Sequence, residues 1–153
     1  MVYFIGAGAG DPELLTIKGK RLIDQADVII YAGSLVNPAV LQDVKPDCRI
    51  YDSAGMTLEE VLAVMEQAEQ EGKATVRVHT GDPSLYGAIR EQIDALDERG
   101  ISHAVVPGVS SFLAAAAALE KEYTLPDVTQ TVILTRMEGR TAVPAAEQIE
   151  SLA

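Results

Sequence analysis

Short apolar runs alternate along this chain with longer segments whose apolar residues recur every three or four positions. The runs are Val2-Tyr3-Phe4-Ile5, Asp27-Val28-Ile29-Ile30-Tyr31, Arg49-Ile50-Tyr51, Thr75-Val76-Arg77-Val78-His79 and Ala104-Val105-Val106. Most are near-continuous rather than alternating, which suits strands covered on both faces. Between them, residues 13–25 place Leu14, Leu15, Leu22 and Ile23 on one side of a helix. Residues 58–70 do the same with Leu58, Val61, Leu62 and Met65, after Thr57 and Glu60 at capping-box spacing. Residues 84–99 carry Leu85, Ala88, Ile89, Ile93 and Leu96 inward and stop at Gly100; residues 110–119 form an Ala-rich helix. Strand and helix alternating in this way predict an α/β fold. Its parallel five-stranded sheet spans residues 2–107, with helices on both faces.

The pattern changes near residue 119. A sixth apolar run follows, Thr131-Val132-Ile133-Leu134, then a polar turn at Glu138-Gly139-Arg140-Thr141 and a helical pattern from Ala145. One strand and part of a helix cannot bury a core. The expectation is therefore a first α/β domain over residues 1–119. Residues 120–153 are then a linker plus the first strand and helix of a second, incomplete α/β domain. An unpaired apolar strand at Thr131–Thr135 would favour self-association.

Composition narrows the function. The chain has 153 residues, 12 Lys+Arg against 23 Asp+Glu, and a net charge of −11. No basic face is available for nucleic acid, nor for an anionic membrane surface. The longest apolar run, residues 112–119, is too short to span a bilayer. One cysteine, Cys48, and two histidines argue against a disulfide or a structural zinc site, so no protein-bound metal is expected. The cytoplasm is the default compartment.

Candidate chemistry collects after the strands. Gly10-Asp11-Pro12-Glu13-Leu14 and Gly81-Asp82-Pro83-Ser84-Leu85 share Gly-Asp-Pro-x-Leu, each after a strand. Asp can cap and Pro suits the first helical position, so helix capping alone explains part of the echo. The placement also matches where open α/β sheets bind ligands. Gly6-Ala7-Gly8-Ala9-Gly10 fits a dinucleotide turn poorly. The fingerprint is incomplete, and the second strand does not end in the acid that would hold a ribose. Thr80 to Ala88 and Pro107-Gly108-Val109-Ser110-Ser111 are more informative, offering close backbone approach, a carboxylate and two hydroxyls. A ligand cleft and a pair of well-capped helices account for these loops equally. Arg77 and His79 share a strand face, and a structural role is favoured for His79 because no partner stands at catalytic spacing. No nucleophile constellation emerges.

Four segments carry a resemblance. Residues 2–16 (Val2-Tyr3-Phe4-Ile5-Gly6-Ala7-Gly8 through Gly10-Asp11-Pro12-Glu13-Leu14-Leu15-Thr16), Tyr31-Ala32-Gly33-Ser34-Leu35-Val36, Val78-His79-Thr80-Gly81-Asp82-Pro83 and Val106-Pro107-Gly108-Val109-Ser110-Ser111 resemble the tetrapyrrole methylases. Where that family's first loop usually has Pro, this chain has Ala9. Ala54-Gly55-Met56-Thr57-Leu58-Glu59-Glu60 and Pro126-Asp127-Val128-Thr129-Gln130 onward are similar to the branch that methylates C-11 of a precorrin-4-type ring.

The resemblance implies two α/β domains with S-adenosylmethionine between them, cobalamin biosynthesis as the setting, and a homodimer. It implies that Thr80, Gly81, Asp82, Leu85, Tyr86, Gly87, Ala88, Ser110 and Ser111 line the donor site, and that Gly8, Gly10 and Asp11 face the tetrapyrrole. No catalytic base is assigned. Lys18, Lys20, Arg21, Arg77 and Arg136 are the cations that could offset the substrate's carboxylates. The alternatives are a relative acting on another ring carbon or on RNA, and a non-catalytic donor-binding module.

Overall fold

A computed structural model describes residues 1–139 and 142–152. Arg140 and Thr141 of the expected polar turn, and Ala153, lie outside the described residues. The chain divides into two compact units, Met1–Ala115 and Ala116–Ala153.

The first unit is built on a sheet of β1 (Val2–Gly6), β2 (Val28–Tyr31), β3 (Arg49–Asp52), β4 (Thr75–His79) and β5 (His103–Val106). The order is β3-β2-β4-β1-β5, and every neighbouring pair is parallel. The expected parallel sheet is therefore present. Central β4 is buried at all five positions, while edge β3 alternates half-buried and exposed residues, which explains its weaker apolar signal.

Period-two alternation sends successive side chains to opposite faces, and each face has its own core. On one, Val2, Phe4, Val28 and Ile30 pack with Val61, Leu62 and Met65 of α2 (Leu58–Gln70) and Leu96 of α3 (Ile89–Glu98). On the other, Ile5, Ile29, Val76, Val78 and Val106 pack with Ile23 of α1 (Ile17–Asp24). A side chain at Gly19 of α1 would meet the Ile5 methyl at 3.1 Å, so its absence lets α1 sit close to the sheet.

Two helices start later than the periodicity predicts. Asp11 accepts a hydrogen bond from the Glu13 N–H (2.9 Å) and opens only one 3-10 turn, Pro12–Leu14. The chain then extends through Leu15, and Thr16 caps α1 afresh by accepting from the Gly19 N–H at 3.0 Å. Leu14 is consequently exposed rather than core. After β4, the expected helix over residues 84–99 begins only at Ile89, because Tyr86 (φ 56°) and Ala88 (φ 49°) are left-handed. Helix α2 has its expected bounds. The Thr57 hydroxyl accepts from the Glu60 N–H at 3.2 Å, and Glu60 accepts from the Thr57 N–H at 2.7 Å. The Ala-rich helix α4 runs Ser111–Ala118.

The second unit holds little regular structure. Leu125 and Thr129 form an antiparallel bridge around Asp127, a 3-10 turn spans Ala145–Glu147, and a short helix spans Ile149–Leu152. The predicted strand at Thr131-Val132-Ile133-Leu134 is not formed; residues 131–138 are irregular. A strand needs a neighbour for its N–H and C=O groups. Among the described residues no β-bridge to that run is formed.

Candidate functional site

Strands β1 and β4 are side by side, yet β1 leads to α1 on one face and β4 leads to α3 on the other. This is a topological switch point. In an open α/β sheet the crevice at the carboxyl ends of such strands is where ligands bind. The loops after β1, β4 and β5 meet there.

Their meeting depends on absent side chains. A Cβ at Gly6 would lie 2.4 Å from the Gly81 carbonyl oxygen and 2.6 Å from Gly108 Cα. One at Gly108 would lie 2.1 Å from the same Gly81 oxygen. Gly81 itself has a left-handed φ of 61°, and a Cβ there would face Ser110 Cα at 3.6 Å and Ser111 N at 3.9 Å. The two Gly-Asp-Pro loops are joined directly. Gly81 N–H donates to the Gly8 carbonyl at 2.8 Å, and Gly8 N–H to the Gly81 carbonyl at 3.3 Å.

Asp82 closes the arrangement. Its Oδ1 accepts from the Ser84 N–H at 2.8 Å and its Oδ2 from the Gly108 N–H at 2.9 Å. One carboxylate thus shapes the turn after β4 and holds it to the loop after β5. On the other side, Asn37 donates to the Gly10 carbonyl at 2.6 Å while its Oδ1 caps Ala39 at 3.0 Å. Asn37 was missed in the sequence. The signal available there was Asn followed by Pro38, which marks a capped turn but not its distant partner.

The residues expected to line the donor site fall into two groups. Gly81, Asp82, Ser110 and Ser111 come together, with Gly81 and Ser110 buried and Ser111 exposed. Thr80 is exposed at the exit of β4; Leu85 and Gly87 are half-buried, and Tyr86 and Ala88 exposed, along the following turn. Gly8, Gly10 and Asp11 lie on the β1 loop, where Gly8 is buried and the Asp11 carboxylate is exposed.

Beneath the crevice lies a buried polar pair. Arg77 donates from Nε to Gln92 and from Nη1 to the Ile30 carbonyl, each at 3.3 Å. Burial lowers its pKa to about 10, so it stays charged at neutral pH. His79 packs against Phe4 with ring centroids 6.0 Å apart, and its Nε2 has no hydrogen-bond partner among the described residues. Burial, and secondarily the Arg77 charge, lower its pKa to about 4, so it is neutral at pH 7.

Of the cations considered from the sequence, Lys20 is already paired with Asp24 (2.7 Å) and Asp43 (2.8 Å), which raise its pKa. Lys18 and Arg21 are exposed on α1. A separate groove of about 740 Å³ flanks α1, lined by Leu15, Ile17, Arg21 and Gln42 among others. It shares none of the converging glycines. Among the described residues, no group of three or more His, Cys, Asp or Glu could hold a metal ion. No described helix is long and apolar enough to cross a membrane.

Comparison with known proteins bears on the family and the fold. The family model for tetrapyrrole (corrin/porphyrin) methylases matches residues 1–153. The cobalt-precorrin-4 C(11)-methyltransferase of Methanocaldococcus jannaschii is 59% identical over 152 residues, covering 99% of this chain and 59% of that protein. The enzyme of the same name from Priestia megaterium is 54% identical over 152 residues, covering 99% of this chain and 59% of that protein. This chain therefore spans about three fifths of the length of these curated relatives. The X-ray structure of a cobalt precorrin-4 methyltransferase superposes with a TM-score of 0.95 at 54% identity, over 99% of this chain and 63% of that one. A Thermus thermophilus uroporphyrin-III C-methyltransferase complexed with S-adenyl homocysteine superposes at TM-score 0.70 and 33% identity, over 85% of this chain and 52% of that one.

Proposed function

The chain belongs to the tetrapyrrole (corrin/porphyrin) methylases, and from that premise we propose that it takes part in methyl transfer from S-adenosylmethionine to C-11 of a precorrin-4-type ring. The donor would lie at the switch point against Gly81, Asp82, Ser110 and Ser111. The ring would lie over the Gly8–Asp11 loop. One observation carries the reading: three glycine backbones in contact at the carboxyl ends of β1, β4 and β5, with a carboxylate and a helix N-terminus beside them.

The residues present suit such a donor. Gly81 lets a ligand reach the backbone without a side chain in the way. Asp82 offers negative charge near a cationic sulfonium, and its two held oxygens fix its direction. Ser110 and Ser111 add hydroxyls at the start of α4, where the positive end of the helix dipole suits a carboxylate. Leu85 and Tyr86 give a partly apolar wall for a flat ring. A sulfonium methyl is already activated, so an electron-rich ring carbon can attack it without a protein nucleophile. The chain's task is then to hold both partners in line and keep water out. The reading uses no protein-bound metal and leaves the base for later proton loss unassigned.

Homodimerisation belongs to the same proposal. Support comes from exposed apolar side chains at Val128, Ile133 and Met137 in the second unit.

The test is direct. Incubating the chain with S-adenosylmethionine and a precorrin-4-type substrate, and looking for a gain of the mass of one methyl, separates an enzyme from a donor-binding module. This chain alone, spanning about three fifths of the length of its relatives, is expected to turn over little. A chain that binds S-adenosylhomocysteine but never methylates is a donor-binding module, and one that binds neither is outside this function.

A further inference from the structure

Arg77 occupies the middle of the central strand, in register with Phe4 on one side and Ile30 on the other. It is only 8% exposed, and none of its hydrogen-bond partners is a carboxylate. Burying an unpaired cation is costly, and an aliphatic residue would fill the site with no such cost. The hydrogen bond to Gln92 shows what the cation does. Gln92 is itself buried, takes the Arg77 N–H on Oε1, and donates from Nε2 to the Ala88 carbonyl at 3.0 Å. Only one amide orientation satisfies both contacts, because a guanidinium only donates and a carbonyl only accepts.

The far end of this relay is the turn that needs holding. Tyr86 and Ala88 both adopt left-handed backbone, which side chains disfavour. Gly87 between them is pressed so close to the Pro83 carbonyl that a Cβ would sit 2.1 Å from its oxygen. Ala88 lacks a side-chain cap of its own for α3. Gln92 and Arg77 were assigned no part in the donor site by the sequence.

We propose that Gln92 is a positioning residue for the donor loop: anchored by Arg77, it fixes the Tyr86–Ala88 turn through the Ala88 carbonyl. The inference rests on the donor-site reading above and deepens it. Gln92→Glu separates positioning from packing. A carboxylate still accepts from Arg77 and gives it a counter-charge, but it cannot donate to Ala88.

Two measurements on the full chain decide the matter. Amide hydrogen exchange over residues 84–92, relative to that of the β4 amides, should rise about tenfold in Gln92→Glu, the equivalent of one lost hydrogen bond. Calorimetry should show S-adenosylhomocysteine binding weakened by about tenfold although the melting temperature is held or raised. Gln92→Met, which fills the space and makes neither bond, should loosen the turn as much. Gln92→Glu with wild-type exchange in the turn, or with wild-type affinity, overturns the proposal. If the wild type binds no S-adenosylhomocysteine, the donor-site reading falls and the positioning role falls with it. The exchange data then still show whether the relay braces the turn.

Discussion

The carboxylate of Asp82 holds the backbone N–H of Gly108 at 2.9 Å, tying the loop after β4 to the loop after β5 across 26 residues of sequence. Its other oxygen holds Ser84. Any donor contact Asp82 makes is therefore made by a side chain already fixed at both oxygens.

Replacing Asp82 by Ala should cost on the order of 2 kcal/mol of stability, because a charge-assisted bond to a half-buried N–H is lost along with a turn cap. It should also weaken S-adenosylhomocysteine binding more than Asp11→Ala does. Asp11 is exposed and caps one local turn. Urea unfolding and calorimetry on both variants provide the check, and equal or reversed effects on binding would remove Asp82 from the donor site.

Gly108→Ala should be severe. The added Cβ meets backbone at 2.1 Å from Gly81 O and 2.7 Å from Gly6 Cα, and backbone in a parallel sheet cannot yield as a flexible side chain would. A loss on the order of 3 kcal/mol or more is expected. Gly139→Ala, with open space around it, is the matched control and should change stability little.

His79 makes stability depend on acid. Its folded pKa of about 4 lies below the ordinary value of 6.5. Between those two values the unfolded chain binds the proton and the folded chain does not, so stability rises with pH across that window. The contribution is fully present above 6.5 and is lost as pH falls towards 4, about 3 kcal/mol in all. Unfolding curves measured from pH 7 to pH 4 should flatten in His79→Leu. A variant with the same acid slope as the wild type would assign the slope to other groups.

Self-association is expected from the second unit. Val128 and Met137 are 77% and 72% exposed, and Ile133 is 59% exposed. Sedimentation should show a species larger than the monomer, and Ile133→Asp with Met137→Lys should shift it towards monomer. A monomer for the unaltered chain at all concentrations would contradict this.

The sheet was legible because β1, β2 and β4 are buried on both faces, and such strands show as uninterrupted apolar runs. Residues 2–6, 28–31, 49–52, 75–79 and 103–106 differ from the expected strands by at most a residue at either end. The helix starts were less legible. Periodicity continues through Leu14 and Leu85, but Thr16 recaps the first helix and the left-handed Tyr86 and Ala88 delay the other. Backbone sign leaves no trace in an apolar pattern. Thr131–Leu134 failed for the opposite reason, since its composition suits a strand but no ladder to it forms among the described residues. At the site, the glycine turns and Asp82 could be picked out as residues. The bonds from Asp82 to Gly108, from Asn37 to Gly10, and from Arg77 through Gln92 to Ala88 join residues distant in sequence or on different elements, and only the fold brings them together.

The contact of Gly6, Gly81 and Gly108 bears on how such a chain can change over generations. Every single-base change that replaces a glycine by another residue installs a Cβ. At Gly6 and Gly108 that atom lands on another chain segment's backbone, at 2.4 and 2.1 Å from the same carbonyl oxygen. Neither position has a conservative neighbour in the genetic code, and compensation would require moving a whole strand end. Substitution costs this framework least at the exposed rim, at Ala9, Asp11 and Thr80, where no backbone contact of this kind is at stake.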